Sequence, residues 1–331
     1  MPKQRLVIVG NGMAAARLLE ELAVRGAAAA FQISVFGEEP SPSYDRLLLA
    51  DVMNGGQSVA QVLHVGLNWY GERGIRAHLG ERAVLVSRQA RIVYGSAGTE
   101  ERYDSMVFAT GSSPHFPPIK QLFNAAGKRL PGVCDFRTLA DCTQIMALAN
   151  GARAVAIIGG GILGLEAARG LAGRARIELV HRGARLSRQG LDEVAALSLQ
   201  RRLEGRGVHF HLNRGVDALL GDERVTGLLL NDGTEVACDL VVLATGLIPN
   251  TWLGYQCGLS VERGINVDQH MGSVDDRRIF ALGECAQRWG GGYCDAAEVR
   301  QQARVLAERL LPTAIPGPVA DARTWSPESL S

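Results

Sequence analysis

RLVIVGNGMAAA, residues 5–16, is the stretch on which the fold turns. The apolar run Leu6 to Val9 ends at Gly10. Gly10-x-Gly12-x-x-Ala15 then opens a helix-forming stretch that continues to Leu22. In this pattern the first glycine permits a tight turn and the second lets backbone approach a pyrophosphate. The small third residue lets helix and strand pack closely, and the phosphates sit at the positive end of the helix. A second apolar run, Phe31 to Phe36, leads into Gly37-Glu38-Glu39. An acid at the end of that strand binds a ribose hydroxyl in such folds, and Glu38 or Glu39 is placed for it. Strand, turn, helix and strand make a βαβ unit and predict a parallel sheet.

The pattern recurs. Ala154–Ile158 reads as a strand, and Gly159-x-Gly161-x-x-Gly164 opens a helix through Leu171. Ile177–Val180 is the next strand. Each half ends a later apolar run on Ala-Thr-Gly, at 109–111 and at 244–246. Each also holds a hairpin signal, Gly95-Ser96-Ala97-Gly98 in one and Asn231-Asp232-Gly233 in the other. This is a duplicated mononucleotide fold rather than a solenoid. After the second turn the ribose-acid position holds His181-Arg182, with Arg185 and Arg188 nearby and no carboxylate. A basic pair could accept a nucleotide 2′-phosphate. Glu166 falls in the first turn of the helix, where it could contact a nicotinamide amide or simply favour the helix N-terminus. Asp192 to Glu204 reads as a helix capped by Asp192. Ala296–Leu311 reads as another, followed by a loosely ordered tail from Pro312.

Composition excludes several classes. Thirty-five Lys and Arg nearly balance 34 Asp and Glu among 331 residues, so nucleic acid and anionic membrane have no electrostatic footprint to meet. No apolar stretch approaches a membrane span, and the N-terminus lacks a signal-peptide pattern, which predicts a cytoplasmic protein. The six cysteines form no C-x-x-C pair, and the seven histidines supply no H-E-x-x-H set. His209-x-His211 on a strand would share a face but lacks a third ligand, so no metal site is expected. Forty glycines already hint at cofactor loops.

The series GNGMAAA, VFGEEPSPSYDRLLL, FATGSSP, IIGGGILGLEAA, LATGLIPN and IFALGECA resembles the two-dinucleotide-fold pyridine nucleotide flavoprotein reductases over nearly the whole chain. GVCDFRTLADC, RQGLD and TWLGYQCGLSVERGI are most similar to the N-terminal flavoprotein module of assimilatory NAD(P)H nitrite reductase large subunits. Rubredoxin and ferredoxin reductases come next. The resemblance implies an α/β protein with two Rossmann-like dinucleotide-binding domains, three-layered, each with a parallel sheet plus a β-meander. FAD is expected on residues 1–114 and 247–331, and NADH or NADPH on the inserted residues 115–246. Gly10, Gly12, Met13 and Ala14 would hold the FAD pyrophosphate, and Glu38 its adenosine ribose. Arg46 would lie beside the flavin or pyrophosphate, and Ala83 would meet the adenine through its backbone. Thr110 and Gly111 would close over the cofactor, and Gly283-Glu284 would hold the ribityl chain. Gly159, Gly161, Ile162, Leu163, Gly164, Glu166, His181, Arg182 and Gly246 would carry the pyridine nucleotide.

The resemblance thus implies a reductase in which NAD(P)H reduces FAD and FAD passes electrons to a separate redox protein or reductase subunit, in nitrite or nitrate assimilation. A rubredoxin- or ferredoxin-type reductase is the second reading, and a flavin-binding scaffold without turnover the third. Ala50-Asp51 stands where relatives carry a flavin-adjacent Ser-Lys pair, so that lysine's role does not transfer. Relatives' redox cysteine would fall near Ala50, so thiol chemistry is not expected. The C-terminal interface domain of relatives is expected to be absent, as are their cluster-binding and sirohaem segments.

Overall fold

The computed structural model describes residues 2–186, 193–288 and 296–312. Two compact units emerge. The first takes in residues up to 44, 64–112 and those from 249 onward; the second takes in 45–63 and 113–248.

In the first unit Gln4–Val9 pairs in parallel with Phe31–Gly37 on one side and Ser105–Phe108 on the other. Arg76–Leu79 and Ile279–Ala281 complete a five-stranded parallel sheet. The central strand is apolar at successive positions, Leu6 to Val9, all 3% exposed or less, because both of its faces are covered. The helix Met13–Val24 buries Ala15, Ala16, Leu18, Leu19 and Leu22, a stripe at helical spacing. Each of those leucines contributes about 1.5–3 kcal/mol by leaving water. The helix Ala296–Leu310 packs against it through Val299, Ala303, Leu306 and Ala307. Arg25, 4% exposed, ties the two helices by reaching Glu21 at 3.5 Å and Glu308 at 3.3 Å. Ala83–Ser87, Ile92–Gly95 and Glu100–Arg102 form an antiparallel meander, as the resemblance implies, with the hairpin read at Gly95–Gly98 joining its last two strands.

The second unit repeats this plan. Its parallel sheet runs Val208–Leu212, Arg176–His181, Ala154–Ile158, Leu240–Leu243, Val133–Asp135. The meander is Val216–Leu220, Gly227–Leu230 and Glu235–Ala237. The segment 45–63, which the sequence reading grouped with the first domain, packs here. Three arginines hold it: Arg46 Nη1 donates to the Arg137 carbonyl at 2.6 Å, Arg174 to the Met53 carbonyl at 3.1 Å, and Arg169 to Asp51 at 2.5 Å. The helix Leu49–Asn54 lies against Ile162–Leu171 at Gly170, where a Cβ would come within 2.6 Å of Met53 Cε. The helix expected from Asp192 is present as Glu193–Glu204, but its cap Asp192 lies outside the described residues, as do Arg188, the RQGLD stretch and the tail beyond 312. Among the described residues no helix is long and apolar enough to cross a membrane.

Candidate dinucleotide sites

The two glycine turns are built alike. Gly10 has φ +108° and Gly159 φ +121°, values that L side chains avoid. A Cβ on Gly10 would stand 2.2 Å from the Ala109 carbonyl oxygen, and one on Gly159 2.2 Å from that of Ala244. Each first glycine is therefore pressed onto the alanine of an Ala-Thr-Gly strand end, which gives the repeated tripeptide a physical reason. The strand ends also match in register, with Ala109 N–H donating to Val9 and Ala244 N–H to Ile158. Both threonines donate their hydroxyls to a facing backbone carbonyl, Thr110 to Asn250 at 2.6 Å and Thr245 to His115 at 2.7 Å. Gly246, at φ +111°, accepts from the His115 amide.

In the first unit Ala14, Thr110 and Gly283 lie against the turn or its helix. The helix begins at Gly12 without a side-chain cap, and nothing lies within 4 Å of a Cβ placed there. Asn11 Nδ2 is buried without a partner, while Tyr70 Oη donates to Asn11 Oδ1 at 2.9 Å. An open glycine beside an uncapped helix N-terminus and an unsatisfied amide suits a bound phosphate. Gly283 meets the same turn, since a Cβ on it would come 2.8 Å from Ala14 Cβ. Glu284 accepts from the Ser112 hydroxyl at 2.6 Å. Of the two candidate ribose acids, Glu39 accepts from Tyr44 at 2.6 Å, and Glu38 is 73% exposed with Arg82 3.9 Å away. Ala83 is buried on the meander, where it pairs with Gly95. Arg46 belongs to the second unit.

Four residues in this site escaped the sequence reading. Gln302, 3% exposed, accepts from the Gly283 amide at 2.7 Å. Asn250 accepts the Thr110 hydroxyl and returns a bond from Nδ2 to the Thr110 carbonyl at 2.9 Å. Ser112 and Tyr70 complete the set. Helical periodicity offered one signal for Gln302, a polar residue on the apolar stripe of its helix. Asn250 carried none.

In the second unit Gly164 packs so tightly that a Cβ would lie 1.8 Å from the Gly159 carbonyl oxygen. The helix Ile162–Leu171 starts at Gly161 without a side-chain cap. Glu166, expected in the first turn, lies one residue beyond it, because the helix starts at Ile162, and it is engaged. Arg169 binds Glu166 Oε2 through Nε at 3.1 Å and Nη2 at 2.8 Å, and its Nη1 reaches Asp51 Oδ1. Burial opposes the charge on Arg169, but the two carboxylates outweigh it and hold the guanidinium protonated. His181 turns inward, and its Nδ1 accepts from the Gly160 amide at 3.1 Å. Arg182 and Arg185 are exposed.

His211 Nε2 lies 2.7 Å from Glu178, with no third metal-binding group among the described residues. Among the described residues the thiols of Cys134, Cys142, Cys238 and Cys285 are buried, and that of Cys257 is partly so. Burial pushes Cys134 up to about 11 and Cys142 and Cys238 to about 12, and raises Cys257 and Cys285 as well. A thiolate is the reactive form, so these groups are inert. An aromatic disulfide reagent at pH 8 is expected to leave Cys134, Cys142, Cys238 and Cys285 unmodified in native protein and to label them on unfolding. Rapid native labelling of any of these four would contradict this.

The sequence profile of the pyridine nucleotide-disulphide oxidoreductases matches residues 4–304. The chain belongs to that family. It is an NAD(P)H-dependent flavoprotein oxidoreductase, using FAD and a pyridine nucleotide. It is 38% identical over 94% of its length to nitrite reductase [NAD(P)H] of Bacillus subtilis (strain 168), covering 38% of that protein. It is 36% identical over 94% of its length to the assimilatory nitrate reductase electron transfer subunit of the same strain, covering 39% of it. The chain therefore spans well under half the length of these relatives. Among solved structures, the covalent putidaredoxin reductase–putidaredoxin complex superposes with a TM-score of 0.85 at 25% identity, covering 96% of this chain and 77% of that one.

Proposed function

We propose that the first glycine turn holds FAD and the second NAD(P)H, and that the chain passes electrons from the nucleotide to a separate redox protein in nitrite or nitrate assimilation. The observation that carries the assignment of FAD is the convergence of Gly10, Ala14, Thr110 and Gly283-Glu284 in one unit. Among the described residues of the second unit, no glycine–glutamate pair meets the second turn as Gly283-Glu284 meets the first. FAD, when bound, takes two electrons from the nicotinamide and can release them singly, which the chemistry of the cofactor supplies.

The chain's own residues bind and orient. The backbone of Gly10, Gly12, Met13 and Ala14 faces the FAD pyrophosphate with the helix dipole behind it. Glu38, turned to solvent rather than tied as Glu39 is, takes the adenosine ribose, and Ala83 offers its backbone to the adenine. Thr110 and Gly111 close over the cofactor. Glu284 accepts from a ribityl hydroxyl, with Ser112 fixing its carboxylate. Gly161, Ile162 and Leu163 present the second helix N-terminus to the nucleotide pyrophosphate, and Gly159, Gly164 and Gly246 shape that cleft. Glu166 offers the oxygen that Arg169 leaves open to the carboxamide.

The nitrate reductase electron transfer subunit among the relatives supports an acceptor on another polypeptide, and the cytoplasmic NAD(P)H pool supports a cytoplasmic site of action. The likeness to putidaredoxin reductase favours a second reading, a ferredoxin-type reductase. Purified protein is expected to be yellow and to bleach on anaerobic mixing with NADH or NADPH. Colourless protein that ignores added FAD would overturn the assignment. Bleaching followed by rapid reduction of a ferredoxin or rubredoxin, with none of a nitrite or nitrate reductase partner, would favour the second reading. Glu284→Ala is expected to weaken FAD binding about tenfold or more, since it removes a charge-assisted bond worth about 1.5–3 kcal/mol. Equilibrium dialysis against FAD reads this directly.

A further inference from the structure

The strand Arg176–His181 ends where a nucleotide-binding fold meets the adenosine ribose, and the residues there, His181 and Arg182, are both basic by type. The structure separates them. His181 Nδ1 accepts the Gly160 N–H at 3.1 Å. The backbone of Arg185 bonds the ring as well. Two glycines make room for it. A Cβ on Gly160 would stand 2.7 Å from His181 Cγ, and a Cβ on Gly183 2.8 Å from Nε2. The imidazole is thus slotted between the glycine turn and its own following loop. Arg182, by contrast, is exposed.

Nδ1 can accept from Gly160 only when it carries no proton, so the ring is the neutral tautomer with its hydrogen on Nε2. Burial first, and then the neighbouring Arg182, disfavour the imidazolium, while the Arg185 backbone favours it; the net direction is downward. A phosphate clamp needs a free, charged donor. His181 is neither, with its Nδ1 committed to the turn it braces.

We infer that His181 is a neutral positioning residue of the nucleotide turn and takes no part in discriminating the nucleotide 2′ position. The inference depends on the second turn holding the pyridine nucleotide. On it, the middle glycine of Gly159-Gly160-Gly161 has a task apart from phosphate: it lets the histidine ring close on the turn. The ring then acts on both nucleotides alike, because it shapes the turn under the shared pyrophosphate.

Flavin bleaching in stopped flow, with NADH and with NADPH, gives both KM values for each variant. His181→Ala is expected to raise both KM values by a common factor of about five, the worth of one backbone-anchoring hydrogen bond, leaving their ratio within twofold of the parent. His181→Asn, which keeps an acceptor oxygen, is expected to restore most of the loss. A His181→Ala protein that shifts the ratio more than twofold against NADPH would overturn the inference. Histidine-labelled apoprotein provides a separate arm. Its nitrogen spectrum, assigned by His181→Asn, is expected to show Nδ1 unprotonated and Nε2 protonated at pH 7, and an imidazolium would refute the placement. Failure of either nucleotide to bleach the flavin would instead sink the assignment of the second turn, without touching the ring's tautomer.

Discussion

Gly10→Ala protein is expected to purify without flavin, and Gly159→Ala protein to carry flavin that NAD(P)H no longer reduces. Both glycines have strongly positive φ, which costs an L residue roughly 1–2 kcal/mol. Both also leave no space, because the nearest atom to an added Cβ is a backbone carbonyl oxygen at 2.2 Å. A flexible side chain could yield; the Ala109 and Ala244 carbonyls belong to sheet strand ends and cannot move without breaking the register that forms the turn. Strain and forced separation together are expected to cost about 3 kcal/mol or more, in the range of the severe substitutions. Gly12→Ala is the contrast. Nothing lies within 4 Å of its Cβ position, so it is expected to fold with nearly the parent's stability and still lose FAD, because the methyl fills the space the pyrophosphate needs. Absorbance spectra and thermal melts separate the cases. Flavin retained by both Gly10→Ala and Gly12→Ala would remove the first turn from the cofactor site.

Arg169→Met is expected to lower the stability of the second unit by about 2–4 kcal/mol, the scale for stripping a partner from half-buried charges. The substitution keeps much of the side-chain volume, so packing is spared. It strands Asp51 and Glu166, each 19% exposed, beside one another with no cation between them. Urea midpoints at pH 7.5 read the difference between parent and variant. Asp51→Asn should cost less, because Arg169 still holds Glu166 by two bonds. An Arg169→Met protein as stable as the parent at pH 7.5 would show that the trio contributes nothing.

The turns were legible because glycine at a strand–helix junction has few other physical explanations, and the Ala-Thr-Gly ends repeated at matching places. Their mutual packing explains why the reading succeeded: one carbonyl presses on one glycine, twice. The third small residue shows the limit of pattern. Ala15 and Gly164 occupy equivalent places in the two motifs, yet only at Gly164 would a Cβ meet a carbonyl oxygen at 1.8 Å. The side of the fold on which 45–63 packs was not legible. It is decided by bonds from Arg46, Arg169 and Arg174 to groups about a hundred residues away, and such pairings leave no periodic trace. By residue type His181 belongs with Arg182 as a basic pair. Its ring orientation depends on the absence of side chains at Gly160 and Gly183, a cavity that no single residue announces. Gln302 accepts from the Gly283 amide and Asn250 bonds the Thr110 backbone, and a backbone partner leaves no complementary residue type in the sequence.

The edge strand Ile279–Ala281 sets an order on synthesis. Its neighbour Ser105–Phe108 leaves the ribosome long before it, and the bond from the Cys285 thiol to the Phe108 carbonyl spans 177 residues. All residues of the second unit precede 249, so that unit can close while the first still lacks an edge strand and the helix Ala296–Leu310. At about 5–20 residues per second, Met106, Val107 and Phe108 wait roughly 10–30 s with one backbone edge unpaired. The unit that begins first therefore finishes folding last, and nascent protein halted before residue 279 carries the sticky edge of an incomplete sheet. That interval is when this molecule most needs a chaperone, and when a slowed ribosome does it the most harm.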